Sequence, residues 1–405
     1  MAQTIDPPTT GRRLVLGSAY WRIWWANTVS SVGDGAFVSA LPLLAVTVTR
    51  DPRLIAVVSA SFYLPWLLLS LPIGALVDRY DRVRIMWRSQ AVQGLIVVAI
   101  AALAALHRVD IAVLTAAGFA LGSAEVFFSN AAQAALPQLV HADLLPKANG
   151  NLQVSLTVGE TFVGPPLGSL LFAASRALPF GLDAGSFAAS AAVLSGLPHF
   201  RPPAATGSIG ARIAEGLRWL LRHRLLRMVA VLLGVSGFCS QMGQADLVLL
   251  ATQTLHVSTR GYGLLWTASA VGSICGGLVN PVITRRIGQL PSLILSMGAS
   301  AAVFVGIGLA PNAVVAGLLM AGNGFFVAMW NIVTVSLRQR IVPGDLMGRV
   351  NSVYRMIGWG LMPAGALAGG LVAHVAGLRA PYTIGGIVCA IALLAALPVL
   401  LRSRD

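Results

Sequence analysis

The sequence predicts an all-α membrane protein of twelve transmembrane helices arranged as two six-helix groups. Three observations carry that prediction. Of 405 residues, 56% are hydrophobic and only 10% charged, against roughly 25% charged in a soluble domain. Twelve apolar runs follow one another at 19–48, 54–78, 84–106, 110–135, 147–174, 177–197, 226–252, 260–284, 288–309, 313–337, 348–376 and 380–401. Each reaches the ~20 residues that a bilayer-spanning helix needs. Finally, the basic residues collect in alternate connections. With the amino terminus placed in the cytoplasm, 22 of the 28 Lys and Arg fall on that side, leaving Arg50, Arg53, Arg108, Arg176, Arg260 and Arg379 outside. That asymmetry places both termini in the cytoplasm.

Composition excludes several classes. The net charge of +14 would suit nucleic acid, but the basic residues sit in short connections and form no folded basic face. Cys239, Cys275 and Cys389 lie inside apolar runs and imply no disulfide framework. The six histidines are scattered, so no metal site and no cofactor are expected. The connections are too short to house a catalytic cluster and show no nucleophile–base spacing, so an enzyme is not expected. A receptor or scaffold would have no need of the buried acids described below.

In chain order, residues 1–18 form a cytoplasmic tail with Pro7-Pro8. Arg12-Arg13 precede a run too long, and too polar at Asn27 and Asp34, for a cleaved signal, so the first helix is retained. Residues 19–198 carry the first six runs. Residues 199–225 form the longest connection, and its second half is amphipathic: Ile209, Ile213, Leu217, Leu220 and Leu221 share a face, with Arg212, Arg218 and Arg222 beside it. A helix lying on the inner leaflet is expected there. Residues 226–405 carry the last six runs. The halves repeat weakly: 142–149 recurs at 344–351, matching Asp143 with Asp345 and Asn149 with Asn351.

Between runs two and three, Leu71–Met86 holds Gly74, Asp78, Arg79, Arg82 and Arg84 in a tight charged clamp. Gly74 allows another helix to come close, and Asp78 can accept from N–H groups at a neighbouring helix start. The arginines can pair with carboxylates or anionic head groups. Run five carries Gly164-Pro165-Pro166-Leu167-Gly168. Proline bends the helix, and Gly164 and Gly168 permit close packing. Run eleven has a looser kink at Gly360, Pro363 and Gly365.

Five carboxylates fall inside the runs. Asp34 and Glu160 are near the centres of runs one and five, Glu125 slightly inward in run four. Asp183 and Asp246 lie nearer the outer ends, within expected reach of interfacial water. A charge at the bilayer centre costs about 2.5–3.5 kcal/mol, so these groups point to function. Polar stripes accompany them: Asn27, Ser30, Ser31 and Asp34 on run one; Glu125, Ser129 and Gln133 on run four; Asn323, Asn331 and Thr334 on run ten. Such stripes face protein or water and are expected to line a cavity. No Lys or Arg occupies the middle of a run. A carboxyl group stranded without a counter-charge sits close to the threshold of proton exchange. Asp34, helped by Glu125 or Glu160, is therefore the expected carrier of a coupling proton.

The spacing G-x-L-x-D-R-x-x-R from Gly74 to Arg82 resembles the loop signature of the major facilitator superfamily, with Asp81 where a second Gly is usual. Gly-Pro-x-x-Gly in run five resembles the signature of exporters in that superfamily, with Glu160 in place of the usual small residue four positions earlier. Run four has Gly118 and Gly122 but lacks the arginine of many proton antiporters. Val29 to Gly35, Asp81-Arg82 and Glu215 to Arg222 together resemble a bacterial subgroup of enterobactin-type siderophore exporters and macrolide or multidrug pumps. The resemblance implies two parallel six-helix halves with a site between them, working as a monomer in the bacterial inner membrane. It also implies efflux by alternating access, with Asp78 docking near Gly348 to Ser352; together with the stranded carboxylates, the function expected is proton-coupled antiport of small amphiphilic molecules. Replacing Asp78 with Asn is then expected to slow the cycle without changing recognition. The acidic stripes favour neutral or cationic amphiphiles over an anionic siderophore, and Phe127, Phe128, Phe162 and Trp330 could stack on them. A siderophore exporter and an importer of a small metabolite are the alternatives.

Overall fold

The computed structural model describes residues 16–77, 79–141, 144–197, 209–343 and 346–402, with the backbone alone at 71, 75, 137, 146 and 209–213. All regular structure among the described residues is helical. The first four runs become α1 (Ser18–Val48), α2 (Pro52–Val77), α3 (Arg82–Ala105) and α4 (Ile111–Leu139). The fifth is broken into α5 (Leu145–Leu156), a wide π turn (Thr157–Val163) and α6 (Gly164–Ala174), and the sixth is α7 (Leu178–Ser195). The connection folds as α8 (Ile209–Arg222). Beyond it come α9 (Arg224–Leu249) with a second π turn (Leu250–Thr254), α10 (Thr259–Ile287), α11 (Gln289–Leu309) and α12 (Ala313–Ile341). The eleventh run divides at Leu361 into α13 (Met347–Gly360) and α14 (Met362–Ala376), and α15 (Ala380–Arg402) closes the chain. Among the described residues, eleven helical stretches are long and apolar enough to cross a membrane. The broken fifth run makes a twelfth only when its three pieces are joined.

Turn residues fix the helix ends. Asp51 starts α2 by accepting from the Arg53 N–H (2.9 Å), and Asp110 starts α4 by accepting from Val113 (2.7 Å). The Arg53 side chain also bonds Asp51 and holds its carboxyl down to about 2. That exposed cap is complete above the ordinary carboxylate range and is lost as the pH falls through about 2.

Packing repeats at an interval of six spans. In the first group α1 lies on α7, α3 on α4 and α7, and α2 on α4; in the second α9 lies on α15, α11 on α12 and α15, and α10 on α12. Since lipid gives helices little hydrophobic reason to associate, small residues make these contacts close. A side chain at Gly122 would strike the Phe62 carbonyl of α2, and one at Gly276 would strike that of Phe325 in α12. A further pair obeys the same repeat. Tyr20 in α1 donates to the Ala148 carbonyl in α5, and Tyr354 in α13 donates to that of Leu226 in α9, with donor and acceptor exchanged.

The groups meet chiefly at the end of the bundle away from the termini. There α6 packs on α10, with Gly263 against Pro166 and Ser169, and α2 packs on α14, with Gly370 against Pro52, Arg53 and Ala56. Midway, Trp66 lies 4.9 Å from Trp359, ring centre to ring centre. Toward the termini, α5 makes no contact with α10 comparable to that of α6. Among the described residues, contact between the groups is thus more extensive at that end than toward the termini, where Gln133 of α4 meets Arg355 of α13.

Several sequence expectations change. Gly74 has no described atom within 4 Å of where a side chain would begin, so among the described residues it serves no close helix approach. Arg82 is buried and donates to the Ala134 carbonyl of α4 (2.7 Å), pinning the clamp to its own group. Arg79 and Arg84 are exposed, Arg84 lying 4.0 Å from Asp81. Asp81 caps α3 by accepting from Val83 and Arg84 N–H groups, which gives the departure from the usual Gly a structural use. Asp183 and Asp246 are sealed, at 1% and 0% exposure, because neighbouring helices cover them. The helix α8 does not simply float: Leu220 is buried beside Val350 and Tyr354, and Glu215 pairs with Arg349 at 2.8 Å. Asp78, Asp143, Asp345, Arg12-Arg13 and the 199–208 stretch lie outside the described residues, as do the side chains of Ile209, Arg212 and Ile213.

Candidate functional site: a carboxylate group and an uncharged pocket

Two glycines bracket Asp34 and decide what it meets. Gly33 presses α1 onto Asp183 and Ser186 of α7, and Gly35 presses it onto the Gly159 and Glu160 backbone. Gly164 in turn meets Gly35, and Gly168 meets Ala36 and Ser39. Pro165 supplies no N–H, and the chain before it opens into the π turn, where the Gly164 N–H bonds the carbonyl of Gly159 five residues back. The expected bend at Pro165 therefore lies upstream, and Glu160 rides on it. Wide turns of this kind concentrate at functional sites. Replacing Gly35 with Val would force α1 from the π turn; loss of about 1–3 kcal/mol is expected from overpacking, read as earlier thermal aggregation of the purified protein.

The three central acids converge. Asp34 is half-buried and its Oδ2 accepts from Ser30 Oγ–H (3.0 Å). Glu125 is half-buried and its Oε2 accepts from Gln93 Nε2 of α3 (3.1 Å). Glu160 is exposed, and each of the three lies within electrostatic reach of another. Among the described residues no Lys, Arg or His forms an ion pair with any of them. Nor could any group of three or more His, Cys, Asp or Glu among the described residues hold a metal ion. Asn27 is half-buried one turn and more toward the terminal end of α1, and Ser31 is buried, donating to Thr28 and Ser155 carbonyls. Farther along α4, Gln133 accepts from Arg355 of α13 across the two groups. Sequence reading missed Gln93, whose partner is 32 residues away, and Tyr63 of α2, which lies beside both Glu160 and Gln241 of α9.

Asn323 and Asn331 do not join the acids. They line a separate cavity of about 210 Å³ within the second group, between α9, α11 and α12. Its walls include Met297, Phe304, Phe326 and Trp330, and among the described residues no Asp, Glu, Lys, Arg or His lines it. Ser300 Oγ–H donates to Asn323 Oδ1 (2.9 Å). Thr334 is turned into its own helix, bonding the Trp330 and Asn331 carbonyls. Of the aromatic residues singled out, Trp330 borders the cavity, whereas Phe128 is core beside Val126 and Ala131.

Comparison with known proteins agrees with this architecture. Residues 16–405 match the family described as transmembrane secretion effector. The multidrug efflux pump Tap of Mycobacterium tuberculosis (strain ATCC 25618 / H37Rv) is 26% identical over 382 residues, covering 89% of this chain and 88% of that protein. The uncharacterized MFS-type transporter YfiS of Bacillus subtilis (strain 168) is 26% identical over 384 residues, with 89% and 88% covered. Among solved structures, the nucleoside transporter NupG superposes with a TM-score of 0.76 at 13% identity, covering 94% of this chain and 99% of that one. A bacterial homologue of the iron transporter ferroportin, in an inward-facing state, gives 0.73 at 15% identity, with 95% and 98% covered. With twelve apolar spans paired at an interval of six and a match over nearly its whole length, the chain belongs to the transmembrane secretion effector family of major facilitator transporters, and it is a multi-pass membrane transporter rather than an enzyme.

Proposed function

We propose that the protein exports small amphiphilic molecules in exchange for protons. The observation that carries this reading is the group formed by Asp34, Glu125 and Glu160, three mid-span carboxyl groups in electrostatic reach with no cationic partner among the described residues. Like charges held together share protons, and such a group can pass one between two waters when access alternates. The similarity to efflux pumps named Tap supports the outward direction. The end that carries the termini is the cytoplasmic one, on the strength of its Lys and Arg excess, and the sparser contact between the groups there describes a state opening toward the cytoplasm. Two six-helix bodies, 19–198 and 226–405, rock about the Trp66–Trp359 contact, with 199–225 joining them and a monomer as the working unit. Acids with no cationic partner among the described residues offer little to an anionic siderophore.

The test uses everted vesicles from a bacterial expression host, loaded with the protein and a fluorescent amphiphile. Accumulation that rises with an inside-acid pH gradient and stops on adding a protonophore is expected. Equal accumulation with and without the gradient would rule out proton exchange, and accumulation only in right-side-out vesicles would establish an importer.

A further inference from the structure

Two cysteines far apart in the chain meet in the second group. A side chain at Gly385 of α15 would begin 3.4 Å from the β-carbon of Cys239 in α9. Its absence lets the two helices close on one another, and Cys389 stands one turn beyond Gly385 on the same helix. The Cys239 and Cys389 thiols lie within hydrogen-bonding reach of each other. Both line the cavity of about 210 Å³ and are otherwise buried, at 1% and 8% exposure. Cys275 of α10 is exposed and does not line it. Proton exchange in the first group makes no use of this pair.

The surroundings decide what two adjacent thiols can hold. A tetrahedral metal ion needs more ligands than the pair supplies. A two-coordinate soft ion such as Cu(I) on two thiolates would leave a net negative charge, and no cationic side chain among the described residues lines the cavity to offset it. A trivalent aryl arsenical avoids that cost, because its adduct is neutral. In the step, two As–O bonds of an aryl-As(OH)2 and the two S–H bonds break, two As–S bonds form, and two waters leave. Arsenic stays trivalent, so no oxidant or reductant is needed. Phe304, Phe326 and Trp330 offer flat walls to the aryl ring, and the volume exceeds the ~150 Å³ of an apolar cavity that takes benzene. We propose that Cys239 and Cys389 form a dithiol site that captures uncharged trivalent aryl arsenicals, with the ring seated in the second-group cavity. Capture ties α9 to α15 within one six-helix body and involves none of the first-group acids, so it stands or falls apart from the export reading.

The probe is phenylarsine oxide, titrated into the reduced full-length protein in lipid nanodiscs, with arsenic per protein counted after gel filtration. One arsenic per protein is expected, removed by 2,3-dimercaptopropanol and retained against the same concentration of a monothiol. Cys239→Ala and Cys389→Ala are each expected to weaken capture at least about a hundredfold, since the second As–S bond forms intramolecularly. Cys275→Ala should bind as the parent does. The two variants lie on different helices, so misfolding of one leaves the other informative. A ring-charged analogue, 4-carboxyphenylarsine oxide, should bind at least about tenfold more weakly, because its carboxylate would be desolvated without a partner. Absence of retained arsenic, unchanged capture by a folded Cys239→Ala or Cys389→Ala, loss of capture in Cys275→Ala, or equal capture of the charged analogue would overturn the assignment.

Discussion

Replacing Asp34 with Asn is expected to abolish proton-driven transport, a loss of at least about a hundredfold in gradient-dependent rate, in a protein that still folds. The amide has nearly the shape of the acid and can still accept from Ser30, so the α1 contacts at Gly33 and Gly35 should survive. What disappears is the exchangeable proton at a member within electrostatic reach of both Glu125 and Glu160. Glu125→Gln is expected to be milder, because Gln93 can bond the amide as well. The check is gradient-driven uptake in everted vesicles beside downhill exchange of the same compound. Exchange should persist in Asp34→Asn while uphill movement stops. Undiminished uphill movement would refute the assignment.

The second large effect belongs to the end of the bundle away from the termini. Gly370 of α14 faces Pro52, Arg53 and Ala56 of α2 across the two groups, and the closed state depends on that approach. A leucine there overpacks the contact by about 1–3 kcal/mol, which shifts a two-state equilibrium roughly 5- to 150-fold. Transporters keep their states within a few kcal/mol, so Gly370→Leu should reverse the balance toward opening at that end. Cysteines placed on α6 and α10 near Ser169 and Gly263 would then react with a membrane-impermeant maleimide from outside, faster than in the parent. An unchanged labelling rate would contradict the role given to this contact. Unlike Asp34→Asn, this variant should slow downhill exchange as well.

How far the sequence could be read depended on the reach of each interaction. Span number and ends were legible because bilayer thickness sets run length, and polar caps such as Asp110 mark the starts. Ser30 and Asp34 were legible as neighbours on one stripe, one turn apart in a single helix, and they bond. Gln93 on Glu125 was not, because nothing in either local pattern says which neighbouring helix will supply the donor. Pro165 announced a bend, yet the break took the form of a π turn upstream, since α1 with Gly35 and Ser31 had to fit against Gly159. Polar stripes named Asp34 and Asn323 alike as cavity residues. Only tertiary packing separates them, one among acids and the other in a pocket without charge. Asp246 shows the same limit from the other side: its distance from the run's end suggested water, but covering helices leave both its oxygens buried and without a partner among the described residues.

Proton exchange at the acid group is the central claim, and its most direct test is a count of protons on substrate binding. Purified protein in weakly buffered detergent, with a pH-indicating dye, is mixed with a saturating transported compound. Release of about one proton per protein is expected near neutral pH, falling to none in Asp34→Asn with binding retained. Release of the same amount by a variant carrying Asp34→Asn, Glu125→Gln and Glu160→Gln together would contradict it.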